Sequence, residues 1–296
     1  MLDRVTKRYG EFTAVSELSL AVRAGRVFGL IGPNGAGKST TIRMIVNITA
    51  PDAGRIELFG HVMNDESRNR IGYLPEERGL YKKMKVGEQL RFLGELKGLS
   101  GRQADKAAEH WLAKLNLIEK KNDKTDELSK GMQQKIQFIA AVMHDPDLLI
   151  LDEPFSGLDP VNAELLKDIV LELKAAGRTI IFSTHLMEQA EKLCDDICLI
   201  NRSRKVLEGS LRDVKRSFGR NAVAVRAEGG GEAFDDTELV ESVKHHSDYA
   251  EVLLVPGADD QELLRRLVAL GARITKFEQV EPSLHEIFLA KVREAV

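Results

Sequence analysis

The rhythm of apolar and polar positions divides this chain into segments of different kind. Residues 12–22 and 26–31 read as strands, and the second feeds a glycine-rich turn followed by an apolar-periodic segment over 39–48, giving strand, loop, helix. From 86 to 144 the pattern becomes helical and highly charged. Periodic stretches at 86–97, 104–115 and 131–143 are separated by joints rich in Gly, Asp, Asn and Lys, which predicts a helical insertion. Buried-strand patterns then return at 148–151 and 179–182, flanking an amphipathic helix at 162–176 that stops at Gly177. This alternation predicts an α/β core. After Gly209 the composition shifts. Strands at 222–226, 251–255 and 273–279 and helices at 260–270 and 283–292, with Gly229-Gly-Gly231 as a loop, predict a small α+β unit. The expected division is 1–210 and 211–296, with the helical subdomain at about 86–144.

Composition narrows the function. A length of 296 residues with 43% hydrophobic content suffices for two buried cores. The 43 basic and 46 acidic residues nearly cancel, so no global field favours nucleic acid, and none is expected as a partner. Cys194 and Cys198 lack the further ligands of a structural zinc site and are expected as reduced core residues. No stretch approaches the roughly 18 consecutive apolar residues of a membrane span, and residues 1–9 lack the apolar core of a signal peptide. The expected location is cytoplasmic, with any membrane role supplied by a partner.

The strongest chemical signal is Gly32-Pro33-Asn34-Gly35-Ala36-Gly37-Lys38-Ser39-Thr40, which satisfies the phosphate-loop pattern G-x-x-x-x-G-K-[ST] between a predicted strand and a predicted helix. Its glycines let backbone N–H groups turn around a triphosphate, and the helix start near Lys38 directs its positive end at the anion. Lys38 adds a cation for the terminal phosphates, and Ser39 is expected to ligate Mg²⁺. Downstream, Leu148-Leu-Ile-Leu-Asp152-Glu153-Pro154 places two carboxylates at the carboxyl end of an apolar strand, where open α/β sheets bind ligands. Asp152 suits the magnesium shell, and Glu153 suits the general base that takes a proton from attacking water.

A phosphate loop, a distal Asp-Glu pair and a helical insertion between them resemble the ATP-binding-cassette family, over about residues 1–210. Leu128-Ser129-Lys130-Gly131-Met132-Gln133 matches that family's Leu-Ser-Gly-Gly-Gln signature at Leu128, Ser129 and Gly131 and departs from it at Lys130 and Met132. Ser156-Gly-Leu-Asp159-Pro160 resembles its D-loop, Ser183-Thr-His185 its switch histidine, and Tyr9 its adenine-stacking aromatic. Ile71-Gly-Tyr-Leu-Pro-Glu76-Glu77 falls at its Q-loop, with Glu76 where the family has Gln, and resembles a magnesium or water contact. The amino terminus before Tyr9 is shorter than the family's usual first strand.

The resemblance implies a P-loop NTPase core of ABC ATPase type, with an antiparallel β subdomain and a helical insertion. It also implies an ATPase using ATP and Mg²⁺, with Glu153 and His185 catalytic and Ser129, Gly131 and Asp159 contacting nucleotide across a head-to-tail dimer, a homodimer being expected. The further partner implied is a separate transmembrane permease, with Gly79, Leu80, Tyr81 and Met84 as candidate contacts. Residues 280–289 resemble the closing helix of an accessory domain found behind export-type ATPases, so export of an unnamed cargo, a sodium ion or a drug among the options, is the expected direction. A single phosphate loop without sustained heptads sets the chain apart from fused-cassette translation factors and coiled-coil repair proteins.

Overall fold

The computed structural model describes residues 1–62, 64–77, 79–219 and 221–294, and the chain divides into two compact units, Met1–Leu211 and Arg212–Val296. In the first unit, β1 (Leu2–Tyr9) and β2 (Phe12–Leu20) form a hairpin that brings Tyr9 opposite Phe12. The fully buried β3 (Val27–Ile31) runs into the glycine-rich loop and then α1 (Lys38–Ile45). There follow β4 (Ala53–Leu58), β5 (His61–Val62), α2 (Asp65–Asn69) and β6 (Ile71–Leu74). Three helices come next: α3 (Val86–Leu96), α4 (Gly101–Lys114) and α5 (Lys130–Val142). The unit closes with β7 (Leu148–Asp152), α6 (Pro160–Ala175), β8 (Thr179–Thr184), α7 (Met187–Leu193), β9 (Asp196–Asn201) and β10 (Arg204–Ser210).

These strands make two sheets. One is antiparallel, in the order β2-β1-β4-β5; the other runs β10-β9-β3-β8-β7-β6 and is parallel except for β10. Continuous apolar runs in β3, β7 and β8 reflect burial on both faces, the condition under which parallel strands are stable. Val5, Leu18 and Leu20 of the antiparallel sheet share one core with Phe28, Leu30, Ile150 and Ile181 of the parallel sheet, around Ile42 and Ile45 of α1. This clamps α1, and with it the loop that precedes it.

Local signals set the helix starts. Ser100 and Gln103 form a reciprocal capping box at α4, the Ser129 hydroxyl accepts the Met132 N–H (3.3 Å) at α5, and Asp159 caps α6 ahead of Pro160. Leu90, Leu112, Ile136 and Phe138 fill the space between α3, α4 and α5, and Trp111 meets Phe138 edge to face.

β6 approaches α5 so closely that a Cβ on Gly72 would stand 2.0 Å from the Ala141 carbonyl oxygen and 2.9 Å from Pro146 Cγ. Gly72→Ala is therefore expected to push β6 off the helix and cost about 1–3 kcal/mol, as an overpacked core does. Urea unfolding checks this: the midpoint falls while the slope is unchanged. An unchanged midpoint would mean that strand and helix separate without penalty.

α8 (Leu211–Phe218) leads into the second unit, which contains β11 (Ala222–Glu228), β12 (Val240–His245), β13 (Ala250–Leu254), α9 (Asp260–Ala269), β14 (Arg273–Gln279) and α10 (Leu284–Glu294). The strands form an antiparallel sheet in the order β12-β13-β11-β14, with Val223, Val225, Val252 and Leu254 packed against Leu263 and Leu267 of α9. After Gly229 and Gly230, both at positive φ, the chain makes a 3₁₀ turn over Gly231–Asp235 before reaching β12. An α/β core with an antiparallel sheet and a helical insertion, followed by a small α+β unit, is the architecture expected from the sequence. The strands β1, β4, β5, β6, β9, β10 and β12 and the helices α2, α7 and α8 are additions to the elements read from it.

Candidate functional site

Four neighbouring parallel strands, β3, β8, β7 and β6, end side by side, and each hands over to a segment carrying predicted chemistry. β3 leads to the loop over 32–37, β8 to His185, β7 to Glu153 and β6 to Glu76. Pairing of Ile31 with Thr184, Asp152 with Ser183 and Leu74 with Leu151 holds these ends level. Strand register thus gathers residues that are far apart in sequence at the carboxyl edge of the sheet.

The loop is shaped by tight packing. A Cβ at Gly32 would lie 2.2 Å from the Ile200 carbonyl oxygen, and one at Gly37, where φ is 108°, would lie 2.4 Å from that of Ala14. Glycine alone fits both positions. Ala36 is buried and donates its N–H to the Pro33 carbonyl (3.1 Å). The first turn of α1 contains no acidic residue, so its positive end is left for an external anion.

Loop and carboxylates line a cavity of about 420 Å³, to which Asn34, Gly35, Gly37, Lys38, Ser39, Thr40, Glu76 and Glu153 contribute. Lys38 is buried; its Nζ donates to the Gly32 (2.8 Å) and Pro33 (3.3 Å) carbonyls and lies 3.7 Å from Glu153 Oε1. The same carboxylate oxygen is 2.8 Å from His185 Nδ1. Glu153 is only 8% exposed, and these two groups are the partners of its carboxylate. Its φ of 49° is an unfavourable backbone conformation for a non-glycine residue, and it turns the chain sharply at the end of β7.

Ser183 holds the Asp152 carboxylate and the Glu153 backbone, a role that sequence reading missed. Fully buried, its hydroxyl donates to Asp152 Oδ1 and accepts the Glu153 N–H (3.2 Å). Gln134 on α5 donates to the Pro154 carbonyl (3.1 Å) just beyond. The Tyr73 hydroxyl is pushed up to about 12 by burial and by the negative charge of Asp152, with the Arg43 guanidinium bonding it and pulling the other way. Tyr73 therefore stays neutral at neutral pH.

The other predicted residues lie elsewhere. Tyr9 is exposed at the end of β1 with Lys7 Nζ 5.6 Å from its ring centroid, while it is Phe12, opposite it in the hairpin and 61% exposed, that lines the cavity with Ala14. In the sequence the only pointer to Phe12 was an aromatic three residues after Tyr9. Ser129 and Gly131 stand at the start of α5, where a Cβ on Gly131 would lie 3.6 Å from Leu158 of the same chain, and Asp159 accepts the Asn162 N–H (2.9 Å) at α6. None of these three lines the cavity. Cys194 and Cys198 are free and buried; burial drives both thiols upward, that of Cys198 to about 12, so both are protonated at neutral pH.

Comparison with known proteins gives the following. Residues 15–156 match the family described as ABC transporter, and residues 209–292 match the family described as ATP-binding protein DrrA1-3-like, C-terminal domain. The uncharacterized ABC transporter ATP-binding protein YhaQ of Bacillus subtilis (strain 168) is 46% identical, over 98% of this chain and 97% of its own length. The linearmycin resistance ATP-binding protein LnrL of the same organism is 34% identical over 97% and 96%, and the Nod factor export ATP-binding protein I of Burkholderia lata is 35% identical over 96% and 94%. Among solved structures, the ATP binding subunit of an ABC transporter superposes with a TM-score of 0.68 at 32% identity, covering 73% of this chain and 92% of that one.

Proposed function

The chain belongs to the ATP-binding proteins of ABC transporters, and from that premise we propose that it is the ATP-hydrolysing subunit of an exporter, working as a homodimer on a separate membrane-spanning permease. The observation that carries the reading is the placing of Glu153 Oε1 between Lys38 Nζ (3.7 Å) and His185 Nδ1 (2.8 Å) beside the phosphate loop. A buried carboxylate held between a cation and an imidazole is suited to taking a proton from water. Residues 1–210 act as the ATP-binding unit and 211–296 as an accessory unit.

ATP is bound by the loop over 32–40, with the base against the hairpin that carries Tyr9 and Phe12. Lys38 exchanges its bonds to the Gly32 and Pro33 carbonyls for the terminal phosphates. Among the described residues no group of three or more His, Cys, Asp or Glu side chains is arranged to hold a metal alone. Ser39 and Glu76 line the cavity, and Asp152 is buried at the end of β7 next to Glu153; a hydroxyl and two carboxylates fit Mg²⁺, an ion that takes few protein oxygens and completes its shell with phosphate and water. When bound there it would neutralise phosphate charge. Glu153 then accepts the proton of the attacking water as the bond from the γ-phosphorus to the bridging oxygen breaks, and His185 holds that carboxylate and the water in line.

Ser129, Gly131 and Asp159 lie outside the cavity of their own chain, which supports their closing over the nucleotide of a second copy. Among the described residues no helix is long and apolar enough to cross a membrane; as a member of a family of ATP-binding subunits, the chain is placed on the cytoplasmic face, held by the permease. A groove of about 800 Å³ lined by Tyr81, Met84 and Phe92 with Lys82 and Lys83 supports that docking; Tyr81 is 57% exposed and meets Phe92 edge to face at 6.1 Å. Export is favoured by the relatives named for Nod factor export and linearmycin resistance.

Light scattering on the Glu153→Gln chain tests this reading. The variant is expected to be dimeric with Mg·ATP and monomeric with Mg·ADP, because intact γ-phosphate is what Ser129 and Gly131 of the second copy grip. A monomer with ATP demonstrably bound would overturn the trans arrangement.

A further inference from the structure

Helix α5 is tied by buried glutamines to both segments that deliver carboxylates to the cavity. Gln134, 3% exposed, donates from Nε2 to the Pro154 carbonyl, one residue past Glu153. One turn later Gln137, 5% exposed, donates from Nε2 to the Glu77 carbonyl (3.2 Å), one residue past Glu76. Glu76 itself lies beyond the end of β6 and lines the same cavity as Lys38.

Gln137 uses only part of its amide. Its Oε1 is buried with no hydrogen-bond partner among the described residues. Its neighbours on α5, Ile136, Phe138 and Ile139, are fully buried and apolar. An apolar side chain of similar volume would pack at 137 without stranding an acceptor, so filling space does not account for an amide there. What the amide supplies is the bond to Glu77.

We propose that Gln137 is the positioning residue for Glu76. Its grip on the Glu77 carbonyl fixes the direction in which the preceding side chain enters the cavity, and it fixes that direction relative to the helix whose first turn carries Ser129 and Gly131. The inference rests on reading the cavity as the ATP and magnesium site.

The test compares the full-length Gln137→Leu, Glu76→Ala and doubly substituted chains with the parent. Gln137→Met runs in parallel, because its flexible side chain fills the same space if leucine fails to fold. The readouts are ATP turnover as a function of ATP and of Mg²⁺, and amide hydrogen exchange over residues 71–81 without nucleotide. Gln137→Leu is expected to raise exchange over 71–81 at an unchanged melting temperature and to lower kcat roughly 3–10-fold, the scale of one hydrogen bond, with KM for ATP unchanged. It is also expected to shift half-activation by Mg²⁺ in the same direction as Glu76→Ala, and to add nothing in the Glu76→Ala background. Losses that add to those of Glu76→Ala, or an unchanged kcat and Mg²⁺ response, overturn the proposal and leave Gln137 a packing residue. If the parent chain turns over no ATP, the ATPase reading fails separately; unchanged protection over 71–81 in the variant would then still overturn the positioning contact, and raised exchange would uphold it.

Discussion

Lys38→Ala is expected to reduce ATP turnover by roughly 10²–10³-fold or more, the scale on which loss of a single preorganised charge-stabilising donor is felt in a transition state. The ammonium is buried at 6% exposure with its neighbours fixed, so no other side chain can take its place. Lys38 sits 3.7 Å from Glu153, and its removal also leaves that buried carboxylate with His185 alone. Both the phosphates and the base are therefore affected. Lys38→Arg is expected to rescue little, because a planar, bulkier guanidinium cannot make the point contacts to the Gly32 and Pro33 carbonyls from within the loop. Phosphate release and the binding of a fluorescent ATP analogue, measured together, check this; turnover within tenfold of the parent would remove Lys38 from the mechanism.

The phosphate loop was legible because its chemistry is local. Gly32, Gly37 and Lys38 must stand at fixed spacing for the backbone to curl and the helix to start, and that spacing survives in one dimension. Asp152 and Glu153 were legible for a related reason: an apolar run that stops on two carboxylates sets both charges at the end of a buried strand, where ligands bind. β1 was not, because its period is broken. Arg4 and Glu17 both have positive φ, and the register between β1 and β2 shifts at several points, so the two-residue alternation that marks a strand never develops over Leu2–Tyr9. β6 is only four residues long with Gly72 inside it, and β12 carries four polar residues in six.

Residues that act through tertiary contact were the least legible. Ser183 looks like part of a motif before His185, yet its buried hydroxyl on β8 is what holds the Asp152 carboxylate and the Glu153 backbone N–H at the end of β7. Gln134 and Gln137 lie on the helical face that periodicity assigns to the core, and nothing in their spacing announces the Pro154 and Glu77 carbonyls. Phe12 required the hairpin register before it could be placed on the cavity wall. Spacing along a chain records the chemistry a segment performs on a ligand; it does not record which distant backbone groups that segment holds in place.

Glu153→Gln separates the base from the electrostatics that Lys38 provides. Glutamine keeps the length of the side chain, keeps an oxygen for His185 Nδ1 at the site of a 2.8 Å contact, and leaves the backbone bonds to Ser183 intact. What it loses is the ability to take a proton. Turnover is expected to fall about 10²–10⁴-fold, the range spanned by a positioned general base, while ATP affinity is retained or increased because a negative charge has been removed from beside the phosphates. This differs from Lys38→Ala, in which turnover and affinity fall together. Measuring single-turnover hydrolysis and nucleotide affinity on both chains distinguishes the two roles. If Glu153→Gln kept most of its turnover, proton abstraction would have to be assigned elsewhere, and the carboxylate would be a structural counter-ion to Lys38. If it lost ATP binding as Lys38→Ala does, the Glu153 carboxylate would be holding Lys38 in place for the phosphates rather than activating water.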